Sequence, residues 1–124
     1  MQLLLVMIGG ALGSGARHLT GRAMLAGIGP DFPFATLTVN LVGGLLMGLL
    51  VGALARAGAS GESWRLFVGV GMLGGFTTFS AFSLDLVTLI ERGAMLLALG
   101  YALASVIGAT VALFAGLTLA RSVA

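Results

Sequence analysis

The chain has 124 residues, of which 59% are hydrophobic and only 8% are charged, and its formal net charge is +2. This balance is too apolar for a soluble domain and is typical of an integral membrane protein. The absence of cysteine excludes disulfides and thiolate metal sites, and the absence of a basic cluster argues against a nucleic-acid partner. No Pro- or Ser-rich linker divides the chain, so we expect one transmembrane domain over residues 1–124.

Two membrane spans are predicted in the first half of the chain. The first apolar run, Leu3 to Ala16, reaches only about 21 Å as a helix, short of the ~30 Å hydrocarbon core. The first span must therefore continue past Arg17, and we expect it to end at Met24 or Leu25. Arg17 then lies near or inside the membrane. The second span, Phe34 to Ala55, is uncharged and carries Asn40, the only amide inside any predicted span.

The segments that flank the second span are predicted to be a turn and a link. The turn is centred on residues 29–31, and the link is the small, polar stretch 56–63. Within the second span, small or polar residues recur at every fourth position, which predicts a close contact with another helix. These residues are Thr36, Asn40, Gly44, Gly48 and Gly52.

The second half of the chain predicts two further spans. The third starts at Trp64, an expected interface residue, and leaves the apolar zone at Asp85, although its helix is expected to continue to about Glu91. The fourth, Ala94 to Ala120, has no charge before Arg121. We therefore expect an all-α membrane protein with four transmembrane helices.

The third span contains residues that predict a break in its helix. The adjacent Gly74 and Gly75 would each weaken a helix by about 1 kcal/mol relative to alanine. The hydroxyls of Thr77 and Thr78 can compete for backbone hydrogen bonds. We expect a helix broken at Gly74–Thr78, which in lipid requires cover by protein or a water-filled cavity and is therefore kept for function.

Neutral polar side chains and aromatic rings surround this predicted break. Phe79 and Phe82 are three residues apart and share a helix face, and Ser80 and Ser83 repeat that spacing. Hydroxyl and amide donors, together with ring edges, can meet a small anion without a full charge that would trap it. The polar residues buried in the predicted spans are Asn40, Thr77, Thr78, Ser80, Ser83, Ser105 and Thr110.

The arginines give no preferred orientation in the membrane. Four spans place both termini on one side, which collects Arg56, Arg65 and Arg121, whereas the other side collects Arg17, Arg22 and Arg92. Because three arginines lie on each side of the membrane, the positive-inside rule predicts no preferred orientation. The chain is therefore expected to insert both ways and to pair with a second copy in an antiparallel homodimer.

Three motifs, in order along the chain, resemble the small fluoride channels of the Fluc or CrcB family. They are Gly-Gly-Phe-Thr-Thr-Phe-Ser-Ala-Phe-Ser at 74–83, Gly-Gly-Ala-Leu-Gly-Ser-Gly-Ala-Arg at 9–17 and Thr-Leu-Thr-Val-Asn-Leu-Val-Gly at 36–43. The resemblance implies a multi-pass protein of a bacterial or archaeal plasma (inner) membrane. It also implies an antiparallel homodimer with two pathways for passive fluoride efflux.

The resemblance also implies roles for particular residues. Phe79 and Phe82 would line the pore, and Asn40 would donate to fluoride. The backbone carbonyls of Gly74 and Thr77 would bind a structural sodium ion on the dimer axis. Arg17, the last residue of the motif at 9–17, would be a structural cation at the pore entrance or subunit contact.

The fourth span departs from the family pattern. Where the family tends to place hydroxyls, this chain has Ala109 and Leu113. Tyr101, Ser105 and Thr110 are then expected to carry part of the polar track instead. The departure concerns one half of the pathway and leaves the aromatic pair unaffected.

The residues alone also bear on three other functions: an enzyme, a proton-coupled exporter and a non-conducting assembly subunit. An enzyme is not expected, because His18 has no cysteine or nearby carboxylate and no pair of carboxylates has a spacing suited to acid–base catalysis. A proton-coupled exporter would need a titratable group in the membrane, and Asp85 is the only carboxylate close to the apolar zone. A non-conducting assembly subunit is the third alternative. On the residues alone, the rings and Asn40 could also serve packing only.

Overall fold

The computed structural model describes residues 1–29, 32–55 and 58–123, and all regular structure within these ranges is helical. A 3₁₀ turn, Gly58–Gly61, precedes the third span, and a π-helical segment, Arg65–Leu73, lies inside it. The α-helices are α1 (Gln2–Ile28), α2 (Phe34–Leu54), α3 (Glu62–Trp64), α4 (Gly74–Phe76), α5 (Ser80–Glu91) and α6 (Met95–Val123).

Within the described ranges, four stretches are long and apolar enough to cross a membrane. They are Gln2–Ile28, Phe34–Leu54, Glu62–Glu91 and Met95–Val123. The all-helical class and the four predicted spans are thereby confirmed. The first span continues past Arg17 as expected.

The ends of the spans differ from expectation by a few residues. α1 ends at Ile28 rather than Met24 or Leu25, and Gly29 closes it with a positive φ of 98° that favours glycine. Of the predicted turn and link, Pro30, Asp31, Arg56 and Ala57 lie outside the described residues.

α2 and α6 approach so closely that their glycines have no room for a side chain. A Cβ added at Gly44 would lie 2.7 Å from the Ala109 carbonyl oxygen, and one added at Gly48 would overlap the carbonyl oxygen of Leu113. The contact is reciprocal, because a Cβ at Gly116 would overlap the carbonyl oxygen of Leu45. This confirms the predicted close contact of the glycine row in the second span, as membrane helices favour.

α1 packs in the same way against the third span. A Cβ added at Gly71 would lie 3.0 Å from the Cα of Gly9, and one added at Gly75 would lie 2.6 Å from the carbonyl oxygen of Gly10. The small face of α1 is therefore occupied by the backbone of the third span, immediately before that span is interrupted.

The interruption of the third span lies at residues 77–79, so its predicted start at Gly74 is wrong by three residues. Gly74 and Gly75 are helical in α4, and Thr77 is the first extended residue, with φ −79° and ψ 161°. The physical reason is the support that α1 gives to Gly75, which offsets the weakness of glycine in a helix. The Thr77 hydroxyl donates to the Leu73 carbonyl oxygen at 2.8 Å, and the same oxygen also accepts the Thr77 N–H at 2.9 Å.

Candidate functional site

The backbone at the interruption is held by Asn40, which lies on α2. The Nδ2 of Asn40 donates to the Thr78 carbonyl oxygen at 3.2 Å, and the Thr78 N–H donates to the Oδ1 of Asn40 at 3.0 Å. The Thr78 hydroxyl in turn accepts the Ala81 N–H at 3.2 Å and so caps α5. These three bonds satisfy the N–H and carbonyl of Thr78 and the N–H of Ala81, which a break would otherwise leave unpaired in lipid.

Arg17 reaches the same region from α1. Its Nε donates to the Gly75 carbonyl oxygen at 3.3 Å, across 58 residues of sequence, and the bond is partly buried. The guanidinium therefore places a fixed positive charge beside the last turn before the interruption. The expected role of Arg17 at the pore entrance or subunit contact stays a prediction.

Two carbonyl oxygens at the interruption remain available. Within the described residues, no hydrogen bond is made to the carbonyl oxygen of Gly74 or of Thr77. The Thr78 N–H, which would bond to Gly74 in a continuous α-helix, is taken by Asn40. These two oxygens form a donor set suited to a hard cation.

The two phenylalanine rings lie side by side after the interruption. Their centroids are 5.8 Å apart with a 48° angle between the ring planes. Phe82 is only 6% exposed and packs 5.1 Å from the Tyr101 ring, whereas Phe79 is 77% exposed. The Phe82 ring is therefore held within the protein, and the Phe79 ring extends out of it.

An open groove of about 630 Å³ lies between α2, α6 and the interruption. Its lining includes both rings, Asn40 and the residues that carry the two available carbonyls. Ser105 also lines it, is only 5% exposed, and has no hydrogen-bond partner for its Oγ within the described residues. A buried hydroxyl without a partner is costly, so Ser105 is a donor that a polar occupant of the groove would satisfy. The other lining residues are Gly43, Gly44, Met47, Thr78, Val106, Ala109, Thr110, Leu113 and Phe114.

The comparison with known families adds to this geometry. The family model described as "CrcB-like protein, Camphor Resistance (CrcB)" matches residues 4–117. The chain belongs to the CrcB-like family.

Curated members of the CrcB-like family resemble the chain over nearly its full length. A protein of Sphingopyxis alaskensis is 62% identical over 94% of this chain and 92% of its own. A Mesorhizobium japonicum protein is 61% identical over 97% and 96%, and a Chelativorans protein is 57% identical over 98% and 97%. Each of these relatives is named "Fluoride-specific ion channel FluC", which describes a transporter rather than an enzyme.

The structure brings most of the site residues predicted from the sequence to the groove. They are Asn40, Gly74, Thr77, Phe79, Phe82, Ser105 and Thr110. The hydroxyl of Thr110 donates to its own helix, at 2.7 Å from the Val106 carbonyl oxygen. Ala109 and Leu113 line the groove as apolar positions.

Three other predicted residues do not line the groove. Ser80 and Ser83 lie in the first turn of α5, outside its lining. Tyr101 is 1% exposed behind Phe82, and its hydroxyl donates to Oδ2 of Asp85 at 3.0 Å. The tyrosine proton is therefore directed at a carboxylate rather than into the groove.

Sequence reasoning missed the Asp85–Tyr101 pair because it placed Asp85 where the third span leaves the apolar zone. The available signal was its position three residues after Phe82, which places both on one face of α5. Phe32 extends the aromatic contact, with its ring 5.5 Å from that of Tyr101 in an edge-to-face arrangement. The rings thus run from the groove towards the start of α2.

Proposed function

We propose that this chain is a fluoride-specific ion channel through which fluoride leaves the cell passively, down its electrochemical gradient. The observation that carries the proposal is the family membership, with relatives of that name 57–62% identical over nearly the full length. Hydrogen fluoride that enters from an acid exterior dissociates inside, so passive efflux of the anion relieves its accumulation. This role places the channel in a bacterial plasma (inner) membrane.

The groove supplies the donors that such an anion needs. Asn40 uses one of its two amide hydrogens on Thr78, which leaves the other for fluoride. The Ser105 hydroxyl is buried and unpartnered within the described chain, and the edges of Phe79 and Phe82 carry positive partial charge. These groups are neutral, so they compensate for lost hydration without holding the anion so tightly that it cannot leave.

We further propose that the conducting form is an antiparallel homodimer with two pathways. The groove that holds Asn40 and Thr77 is open, and Phe79 is 77% exposed beside it. Polar groups facing hydrocarbon are costly, so a second copy of the chain covers this face. The balanced arginines, three on each side, allow that copy to insert in the opposite orientation.

A sodium ion is proposed at the centre of that dimer. The carbonyl oxygens of Gly74 and Thr77 accept no hydrogen bond within the described residues, and two chains would offer four such oxygens. Backbone carbonyls are suitable ligands for a hard monovalent cation. When bound, the ion would join the two interrupted spans structurally.

Release of fluoride from liposomes tests the channel. Purified protein reconstituted with internal fluoride should release it rapidly after the membrane potential is shunted, as followed with a fluoride electrode, and should release chloride hardly at all. Equal release of both anions would remove the claim of selectivity. No release by the protein alone would favour a non-conducting assembly subunit.

A proton-coupled exporter is the second candidate, and Asp85 is the observation that favours it. This carboxylate lies inside the third span, bonded to Tyr101, where a proton carrier would be placed. With equal fluoride on both sides, an imposed proton gradient should drive no net fluoride movement through a channel. Uphill movement beyond that in protein-free liposomes, across which only uncharged hydrogen fluoride diffuses, would establish coupling instead.

A further inference from the structure

The segment that joins α1 to α2 turns one aromatic ring back into the protein. Phe32 is partly buried and packs against the buried cluster between α5 and α6 that contains Phe82 and Tyr101. Its ring lies edge-on to the Tyr101 ring, with the centroids 5.5 Å apart and an angle of 81° between the planes. Aromatic pairs favour this arrangement, so the contact fixes how the two rings face each other.

The backbone at Phe32 is held by a tight turn. The Phe34 N–H donates to the Phe32 carbonyl oxygen at 2.8 Å, and Pro33 between them has φ −78° and ψ 61°. These are the angles of an inverse γ-turn, and the pyrrolidine ring of a proline keeps φ close to that value. Phe32 is therefore positioned by its main chain as well as by its ring contact, directly before α2 begins.

Tyr101 connects Phe32 to the groove. The tyrosine is 1% exposed, its hydroxyl donates to Oδ2 of Asp85 at 3.0 Å, and the Phe82 ring packs 5.1 Å from its own. A ring that is buried, hydrogen-bonded through its hydroxyl and met edge-on by a second ring has little freedom to tilt. Phe82, which lines the groove, therefore packs on a fixed surface.

The orientation of the Phe82 ring matters because its charge is not uniform. An aromatic ring is negative on its faces and positive at its edge, so a rotation of the ring changes what an anion in the groove meets. On its other side Phe82 contacts Phe79, with the centroids 5.8 Å apart, but Phe79 is 77% exposed. Within the chain, the firm support for Phe82 is therefore on the Tyr101 side.

We propose that Phe32 is a positioning residue for conduction: through Tyr101 it holds the Phe82 ring with its edge available to fluoride. The inference rests on the proposed function of the chain as a fluoride channel. Phe32 lies outside the lining of the groove, so it acts on the anion only through the ring that it supports. The connection between α1 and α2 thereby takes part in conduction, although it lies outside the membrane spans.

Fluoride current in planar bilayers, compared at equal amounts of folded protein, tests the proposal. Phe32→Leu keeps an apolar side chain but removes the ring, and it should lower the current about two- to tenfold, the factor that corresponds to one aromatic pair contact. Phe32→Tyr keeps the ring and should retain the wild-type current. Phe34→Leu is the matched control and should also conduct as the wild type, because Phe34 is 41% exposed and its loss leaves the Phe32–Tyr101 contact in place.

A double variant shows whether Phe32 acts through Phe82. The effects of two residues that act through one another are not additive, whereas those of independent residues add. In the Phe82→Ile background, Phe32→Leu should therefore lower the remaining current no further. An independent role, such as one in the cavity of about 270 Å³ that Phe32 also lines, would leave the full two- to tenfold loss in that background and would overturn the proposal.

The outcomes distinguish this proposal from the proposed function. A wild-type current in folded Phe32→Leu would overturn the role of Phe32 and leave the channel intact. If circular dichroism shows that Phe32→Leu does not fold, Phe32→Met, with a flexible apolar side chain, takes its place with the same expected loss. The absence of fluoride current in the wild type would overturn the channel itself.

Discussion

Two regions of this molecule solve the problem of a polar backbone in lipid in opposite ways. Between α2 and α6, the glycines at 44, 48 and 52 let two complete helices approach until backbone meets backbone, and every peptide group stays inside its own helix. At residues 77–79 the helix stops, and side chains from α1 and α2 bond to the peptide groups that it exposes. The first region tolerates no added atom, whereas the second depends on a few donors and acceptors.

The difference indicates which substitutions should harm folding and which should harm conduction. The energy of the close packing between α2 and α6 is spread over many small contacts. This contact is therefore disrupted when an added atom forces the two helices apart. The interruption concentrates its energy in a few hydrogen bonds, so it fails when one partner is lost. The expected cost in stability falls from Gly48 through Asn40 to Phe79.

Gly48→Ala should give the largest loss. Its Cβ would overlap the Leu113 carbonyl oxygen, so α2 and α6 must separate, at a cost of about 1–3 kcal/mol or more. Thermal unfolding in detergent, followed by circular dichroism, measures the change. Gly100→Ala in α6 is the matched control, because nothing lies within 4 Å of its added Cβ, and it should be as stable as the wild type or more so. Equal unfolding midpoints for Gly48→Ala and Gly100→Ala would show that α2 and α6 can separate to admit the added methyl group without loss of stability.

Asn40→Leu should cost somewhat less stability and remove the fluoride current. The substitution keeps the approximate size of the side chain but leaves the N–H and carbonyl of Thr78 without partners, which costs about 1–3 kcal/mol. Thr110→Val is the stability control, because that hydroxyl bonds only to its own helix. Unfolding midpoints and bilayer currents check both. A stable, conducting Asn40→Leu would show that Asn40 does not support the interruption.

Phe79→Ile should cost the least stability and still cut the fluoride current at least about tenfold. A side chain that is 77% exposed contributes little to folding, within about 0.5 kcal/mol, whereas Phe82→Ile alters a buried ring and should be measurably less stable. Phe67→Ile, in the π-helical segment and outside the groove lining, controls for loss of an aromatic ring. Wild-type current in both Phe79→Ile and Phe82→Ile would show that the two rings serve only to pack the helices.

The ends of the last two spans could be predicted from the sequence because charged residues lie beside them. Glu91 is the last residue of α5, and Arg121 lies two residues before the end of α6. The glycine row of α2 was also predictable, since its spacing of four follows the helix period. The start of the interruption was not, because the helicity of Gly75 depends on α1, about 65 residues earlier in the sequence, and local propensity contains no information about that contact.

The candidate site was predicted in its residue types more than in its bonds. The pairing of Phe79 with Phe82 follows from a three-residue spacing, but that spacing does not tell which ring is buried. Asn40 was expected to donate to an anion, whereas its amide first completes the backbone of Thr78. Such a bond joins residues 38 positions apart, so it depends on how α2 is packed rather than on any motif.

The π-helical segment just before the interruption has a consequence for chain length. The Gly74 N–H bonds to the Gly69 carbonyl oxygen, five residues back, so this segment uses one more residue for each bonded loop than an α-helix does. The third span thus needs more residues for a given number of turns than a regular α-helix would, shortly before the segment that Asn40 holds at Thr78.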